Sequence, residues 1–295
     1  MSIERRHFFR HGLAVGAALA TGLDRNRAHA AALPRRYAND VVELGPDKVK
    51  LSRLAMGTGT SGFGGSSNQT RQLGVKGMVD LVWFGYDNGV TFWDSADQYG
   101  SHPHLKGALK HIPRDKVAIM TKTHAKTYEE MRRDLDRYKK ELDTDYIDIV
   151  LLHAMREVDW PTQRKGAMEY LSEMREKGVV KTHGVSCHSL SALKTAAKTP
   201  WVHVDLARIN PMGVAMDADP ATVKDVLRDM KSKGKGIIGM KILGAGKMRR
   251  RVDEMLSHAL AMDFIDTFTI GAESIQELGD LVRRIPQASQ RGWPS

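Results

Sequence analysis

Eight times along this chain a short run of β-branched and aromatic residues gives way to an amphipathic stretch with helical spacing. That alternation is the strongest constraint on its fold. The strand candidates are 51–57, 90–96, 117–123, 146–153, 180–187, 202–210, 236–242 and 266–271. Helical patterns lie between them, for example YEEMRRDLDRYKKELD (128–143), AMEYLSEMREKG (167–178), PATVKDVLRDMKSKG (220–234) and RRVDEMLSHALA (250–261). Strand, loop and helix closed by a glycine or a charged turn is the βαβ unit, which builds parallel sheet. Eight such units in about 240 residues predict an α/β chain folded as a (β/α)8 TIM barrel. A doubly wound open sheet is the alternative. It calls for a compact GxGxxG that opens a helix after the first strand. GTGTSGFGG (57–65) instead runs on into the polar SSNQT, which fits a flexible active-site loop.

Residues 1–30 carry none of this pattern. Arg5 and Arg6 are followed by two phenylalanines, Arg10, an uncharged run from Gly12 to Leu23, and Ala28-His29-Ala30. A charged start, a short apolar run and a small-x-small site, in that order, spell a cleavable export signal. The paired arginines resemble a bacterial twin-arginine signal, with Arg25 and Arg27 near the cleavage site in keeping with that route. The expectation is a signal peptide over 1–30, a barrel domain over 31–295, transient handling by the twin-arginine machinery and a periplasmic or otherwise exported product. The alternative is a basic amphipathic helix on the outside of the folded domain. The apolar run is too short to span a bilayer, so stable membrane insertion is not expected.

The formal charge is +10, from 45 Lys and Arg against 35 Asp and Glu. Beyond residue 30 the bases alternate with acids, as in RRDLDRYKKELD (132–143), and no dense basic block with interleaved aromatics occurs. Nucleic-acid binding is therefore not expected. Cys187 is the only cysteine, so no intrachain disulfide can form.

In a (β/α)8 barrel the chemistry sits where strands end and βα loops begin. The second strand ends near Asp94 with Tyr99 in its loop, the third near Lys122 and the fourth at His153. Each alone has a bland reading: a turn carboxylate, a packed aromatic, a solvated ammonium, an interior histidine. Together at successive rim positions they make a set. An ammonium beside a phenol lowers its pKa, a carboxylate balances the ammonium, and an imidazole can orient a carbonyl oxygen. The set contains a proton donor but no nucleophile and no electron source, so a bound hydride donor would complete a carbonyl reduction. His102-Pro103-His104 raises a zinc reading. No carboxylate-histidine set completes it, and no metal is expected.

The motifs FWDSADQYG (92–100), IMTKT (119–123), DIVLLHAM (148–155), GVVKTHGVS (178–186), ILGAGK (242–247) and TIGAESIQEL (269–278) resemble, in order, those of the aldo-keto reductase superfamily. The resemblance runs from about Leu51 to Ile285. It implies an NAD(P)H-dependent oxidoreductase that reduces an aldehyde, ketone or sugar carbonyl. Tyr99 would be the general acid, tuned by Lys122 and Asp94, with His153 orienting the substrate. The alternative is a non-catalytic barrel that serves as a nucleotide-sensing or partner-binding module. The resemblance places the cofactor against Ser186, Asn210, Met240, Lys241, the Leu243, Gly244 and Gly246 backbone, Gly271, Glu273 and Glu277. Several of these depart from the family pattern. Cys187 stands where an amide side chain is usual, alanine near Ala207 where a glutamine is usual, and Met240 in place of a stacking aromatic. Glu273 and Glu277 occupy the segment that usually carries positive charge for the 2′-phosphate of NADP(H), so NAD(H) remains open as the cofactor.

Overall fold

The computed structural model describes residues 33–293, and the expected signal at 1–30 lies outside the described residues. A hairpin comes first, β1 (Val41–Leu44) and β2 (Val49–Ser52). Eight parallel strands then close a barrel: β3 (Leu54–Gly57), β4 (Phe92–Asp94), β5 (Ala118–Thr123), β6 (Ile147–Met155), β7 (Val180–Cys187), β8 (Val204–Arg208), β9 (Gly236–Met240) and β10 (Thr267–Ile270). Each strand pairs with its sequence neighbours, and β10 closes on β3 with Phe268 opposite Leu54. The helices are α1 (Asn68–Asp87), α2 (His102–Leu109), α3 (Tyr128–Leu142), α4 (Trp160–Gln163), α5 (Lys165–Glu176), α6 (Leu190–Lys198), α7 (Pro220–Ser232), α8 (Val252–Ala261) and α9 (Ile275–Arg291). The (β/α)8 expectation is met, and β7 matches its predicted range to the residue.

Period-two alternation divides the strands between two cores. Phe92, Ala118, Met120, Ile149, Leu151, Val204 and Leu206 fill the barrel interior. Their alternates Trp93, Ile119, Val150 and Ala207 face the helices, where they join a larger cluster with Leu135, Leu171 and Leu227. The strand reading of 51–57 has to be corrected: a bend at Arg53 separates β2 from β3. The hairpin that precedes the bend was not anticipated. Its Leu44, Val49 and Leu51 are buried in the interior cluster, so the hairpin closes the end of the barrel where the strands begin. With Leu44, Val49 and Leu51 filling that end, the strand C-terminal rim is where βα loops leave room for a ligand.

Helix starts follow local chemistry. Thr127 caps α3 and Glu130 reaches back to the Thr127 backbone, a reciprocal capping box. Ser189, Asp219 and Ser274 cap α6, α7 and α9 by accepting from the backbone three residues on. Among the described residues no helix is long and apolar enough to cross a membrane.

Candidate active site

The order of β4 carries the site. Phe92 points into the barrel, Trp93 out, and Asp94 in again at the rim. On β5 the same alternation runs Ala118, Met120, Lys122, and on β6 it runs Ile149, Leu151, His153. Lys122 is fully buried, and its ammonium donates to Asp94 Oδ1 and to the Ser95 carbonyl, the latter at 2.6 Å. Asp94 Oδ2 accepts from Thr269 Oγ1 at 2.8 Å, which anchors the carboxylate from β10. Tyr99 lies in a short 3-10 turn, Asp97–Tyr99, after β4. Lys122 Nζ sits 4.7 Å from the centre of its ring. The His153 ring meets Tyr99 edge-on at 5.9 Å. The four residues read from the sequence thus converge at one point on the rim.

The glycine-rich loop is packed rather than free. A Cβ on Gly59 or on Gly62 would overlap the Tyr99 ring, so glycine at both positions lets the loop backbone lie flat against the phenol. Gly65 N donates to the Gln98 carbonyl at 3.0 Å and ties the loop to the Tyr99 turn. Beneath them Thr58, Ser101 and Ser95 form a chain of hydroxyl contacts at 2.7–2.8 Å.

The electrostatics correct one expectation. Burial raises the Tyr99 hydroxyl above its ordinary 10, and Lys122 offsets only part of that. Without ligand Tyr99 is therefore a firmly protonated phenol. Burial opposes the Lys122 charge, but Asp94 and then Tyr99 outweigh it, and its pKa lies above the usual lysine value. Burial, then Lys122, His124, His188 and Lys241, hold His153 down to about 2. His153 is thus a neutral imidazole, and its buried Nδ1 has no partner among the described residues.

The residues expected around a cofactor are placed less uniformly. Ser186, fully buried on β7, accepts from Ala154 N at 2.8 Å and keeps its hydroxyl proton to donate. Asn210 corrects an expectation. Its amide donates to the Val214 and Lys241 carbonyls and accepts from Met212 N and Val214 N, so its capacity is spent on holding the loop after β8. Met240 tops the interior core. Lys241 follows with left-handed backbone (φ 59°), half-buried, and burial lowers its pKa. In the next turn the Gly244 and Gly246 amides are bonded to the Lys241 and Leu243 carbonyls. Leu243 and Ala245 are left with amides that take no protein acceptor among the described residues, and a Cβ on Gly246 would meet nothing, so that side of the turn is open. The donor set fits a pyrophosphate through those two amides rather than through the whole turn. Gly271 is pressed against Thr60 and Gln69, with no room for a Cβ. Glu273 Oε1 accepts from Asn68 Nδ2, and Glu277 Oε2 accepts from Glu273 N, both at 2.8 Å at the start of α9.

Cys187 and Ala207 both face the helix layer, away from the rim. The inward residue at that level of β8 is Arg208, which Asp217 holds by two bonds to Oδ1. Counting the period-two register from Val204 and Leu206 would have found it. His188, just after β7, and His124, just after β5, were also passed over. Their rings approach His153 at 6.4 Å and, stacked, at 4.9 Å. The signal for both was available: each sits one residue past an outward-facing strand end, Thr123 or Cys187, and so takes the inward parity. His102 has both ring nitrogens engaged, by Glu141 at 2.8 Å and Thr121 at 2.7 Å.

Behind β7 the Cys187 thiol lies 3.5 Å from Asp205 Oδ2. Burial pushes Asp205 up to about 7. A carboxyl raised in the folded state holds a proton that the unfolded chain releases. Its stabilising contribution is therefore present at low pH and lost as pH rises toward 7. Urea unfolding is expected to show stability falling between pH 5 and 7, with a slope of up to about 1.4 kcal/mol per pH unit. Asp205→Asn should remove that slope.

The (β/α)8 barrel that brings these four residues to one rim is a fold shared with known proteins. Among solved structures, an aldo-keto reductase from Bacillus halodurans in its holo form superposes with a TM-score of 0.68 at 16% identity, covering 85% of this chain and 95% of that one. An aldo-keto reductase from Klebsiella pneumoniae in complex with NADPH gives 0.66 at 18%, covering 87% and 92%. At such identities the likeness is one of fold. Among curated proteins, "Probable aldo-keto reductase 1" of Glycine max is 30% identical over 169 residues, 52% of this chain and 47% of that protein. D-arabinose 1-dehydrogenase of Saccharomyces cerevisiae is 29% identical over 133 residues, 41% of this chain and 39% of that protein. The chain thus aligns with less than half the length of these two curated relatives. The profile of the aldo/keto reductase family matches residues 55–281, which takes in the barrel from β3 into α9 together with all four rim residues, and the chain belongs to that family.

Proposed function

We propose that this protein is an exported reductase that converts an aldehyde, ketone or sugar carbonyl to an alcohol with NADH or NADPH. The observation that carries the reading is the buried Lys122 ammonium, fixed by Asp94 and set beneath the Tyr99 ring. The nicotinamide cofactor supplies a hydride when bound. The rest is done by the chain. Neutral His153 donates a hydrogen bond that holds the carbonyl oxygen, and Tyr99 delivers its proton to that oxygen as negative charge develops there. Lys122 stabilises the phenolate left behind, and Asp94 with Thr269 keeps the ammonium in place. The Leu243 and Ala245 amides and the Ser186 hydroxyl are the groups free to hold the cofactor. Steady-state turnover of an aldehyde and ketone panel with each cofactor tests the reading. No turnover, with neither nucleotide bound by folded protein, would favour the non-catalytic barrel.

Cofactor choice follows from α9. Glu277 occupies the Glu273 amide, and Glu273 faces Asn68, so two carboxylates stand where a 2′-phosphate would dock. A phosphate charge ~4 Å from one carboxylate is disfavoured by about 1–4 kcal/mol across effective dielectrics of 80 to 20. Arg71, which donates to Asn68 Oδ1 at 2.6 Å, offsets part of this. NADPH is expected to bind no more than about tenfold tighter than NADH, a difference of at most about 1.4 kcal/mol. Parallel fluorescence titrations settle it: a hundredfold advantage for NADPH, about 2.7 kcal/mol, would sink the charge argument.

Export rests on the arginine pair and the small-x-small site in residues 1–30. Mature protein is expected to begin near Ala31 outside the cytoplasm. Arg5→Lys with Arg6→Lys should trap precursor inside; normal export of that double variant would refute the twin-arginine route.

A further inference from the structure

The mouth around His153 holds more positive charge than the four-residue set uses. His124 stacks on His153 at 4.9 Å, and His188 meets its edge at 6.4 Å. Three cations surround this imidazole cluster. Arg164 donates to the His124 and Ala125 carbonyls, the latter at 3.2 Å. Arg156 precedes α4, and its carbonyl is gripped by Ser189 and Ser191 beside His188. Lys241 leaves β9 next to Met240, which pairs with Arg208 across the rim. None of Arg156, Arg164 and Lys241 forms an ion pair among the described residues, although Asp217 lies within Coulombic reach of Arg156, and several acids of the same rim are engaged with other groups. Asp94 holds Lys122, Asp217 holds Arg208, and Asp97 and Asp134 hold Arg137. Glu130 is committed to capping α3.

The histidines respond to that field. Burial, then Arg208, Arg156, Lys241 and His124, lower His188 to about 3. Burial and then Arg164 lower His124, with Asp97 and Asp134 in partial opposition. Beside these three neutral rings Arg164 and Lys241 are partly buried and Arg156 is exposed, and partly desolvated cations without an ion pair are stabilised by a counter-ion.

We infer that the carbonyl substrate carries an anionic group, a carboxylate or a phosphate, which sits among His124, His188, Arg156 and Lys241 while its carbonyl faces Tyr99 and His153. This rests on the reductase reading. The competing source of the same chemistry is the cofactor's own phosphates, since Lys241 lies beside the turn proposed to hold them.

The test compares 4-carboxybenzaldehyde with its methyl ester on cofactor-saturated enzyme. The ester is the intrinsically more electrophilic aldehyde, so a preference for the carboxylate must come from the site. The kcat/KM ratio is expected to favour the carboxylate at least tenfold at low salt and to fall several-fold in 0.5 M NaCl, where charges are screened within a few Å. Arg156→Gln should cut the ratio at least threefold through the KM of the carboxylate, with the Kd for NADH, read by fluorescence, unchanged. Equal rates for the two aldehydes would overturn the inference. So would an Arg156→Gln variant that loses NADH affinity to the same degree, because the charge would then serve the cofactor. Calorimetry with 4-(hydroxymethyl)benzoate and its amide separates the two readings. Binding of the acid alone by a protein that turns over neither aldehyde would keep the anion site and refute the reductase. Binding of neither compound would refute the anion site.

Discussion

Tyr99→Phe is expected to lower kcat by about 10²–10⁴-fold, the range that one positioned general acid contributes. The substitution keeps the ring, which is what the Gly59 and Gly62 backbone, the Lys122 ammonium and the His153 edge all touch. Folding and NADH affinity should therefore be little changed, and the loss should fall on kcat rather than KM. The pH profile of the wild type provides a second check. Reduction needs the protonated phenol, and burial lifts Tyr99 above 10, so the rate should hold level from about pH 6 to 9 and decline only beyond that. His153, held near 2, should add no acid limb in that window. A wild-type rate in the phenylalanine variant would remove Tyr99 from the chemistry altogether.

The part of the site legible in the sequence is the part that strand geometry dictates. Period-two alternation fixes which side chains reach the interior, and parallel strands align their ends at one rim, so Asp94, Lys122 and His153 could be read from three short motifs. Tyr99 followed because its loop is short and closes through Gly100 in the left-handed conformation (φ 62°). What stayed hidden depended on parity or on tertiary partners. Ala207 and Cys187 were aligned by motif with positions that touch cofactor, yet both lie on the outward parity of their strands and Arg208 takes the inward place. Thr269 gives no sign in the sequence that it will brace Asp94 from across the barrel closure, 175 positions away. The hairpin escaped for a related reason. VVEL and VKLS flank a polar turn and take no role in the eight-unit pattern, apart from Leu51 and Ser52 in the first strand candidate, and only the barrel's end shows what Leu44 and Leu51 are for. The glycine-rich loop suggested mobility, where the packing shows backbone pressed against a ring.

Lys122→Met should do damage of a different kind from Tyr99→Phe, because it removes a charge on which a second charge depends. Lys122 is fully buried, and Asp94 is nearly so, held otherwise only by Thr269. Breaking a buried pair from one side typically costs 3–5 kcal/mol, since the remaining ion is left without a partner in a low-dielectric site. The methionine stem replaces much of the packing, so the expected loss is chiefly electrostatic. Stability by urea unfolding should drop by about 3–5 kcal/mol, and kcat should fall at least as far as in Tyr99→Phe, because the phenolate loses its ammonium as well. The second substitution makes the cause testable. Adding Asp94→Asn to Lys122→Met removes the orphaned charge while keeping a side chain that can still accept from Thr269. It should recover at least half of the lost stability and none of the lost kcat. If the double variant were as unstable as the single one, the destabilisation would come from packing around Met120 and Ile149, and the Asp94–Lys122 pair would not be what holds this corner of the barrel together.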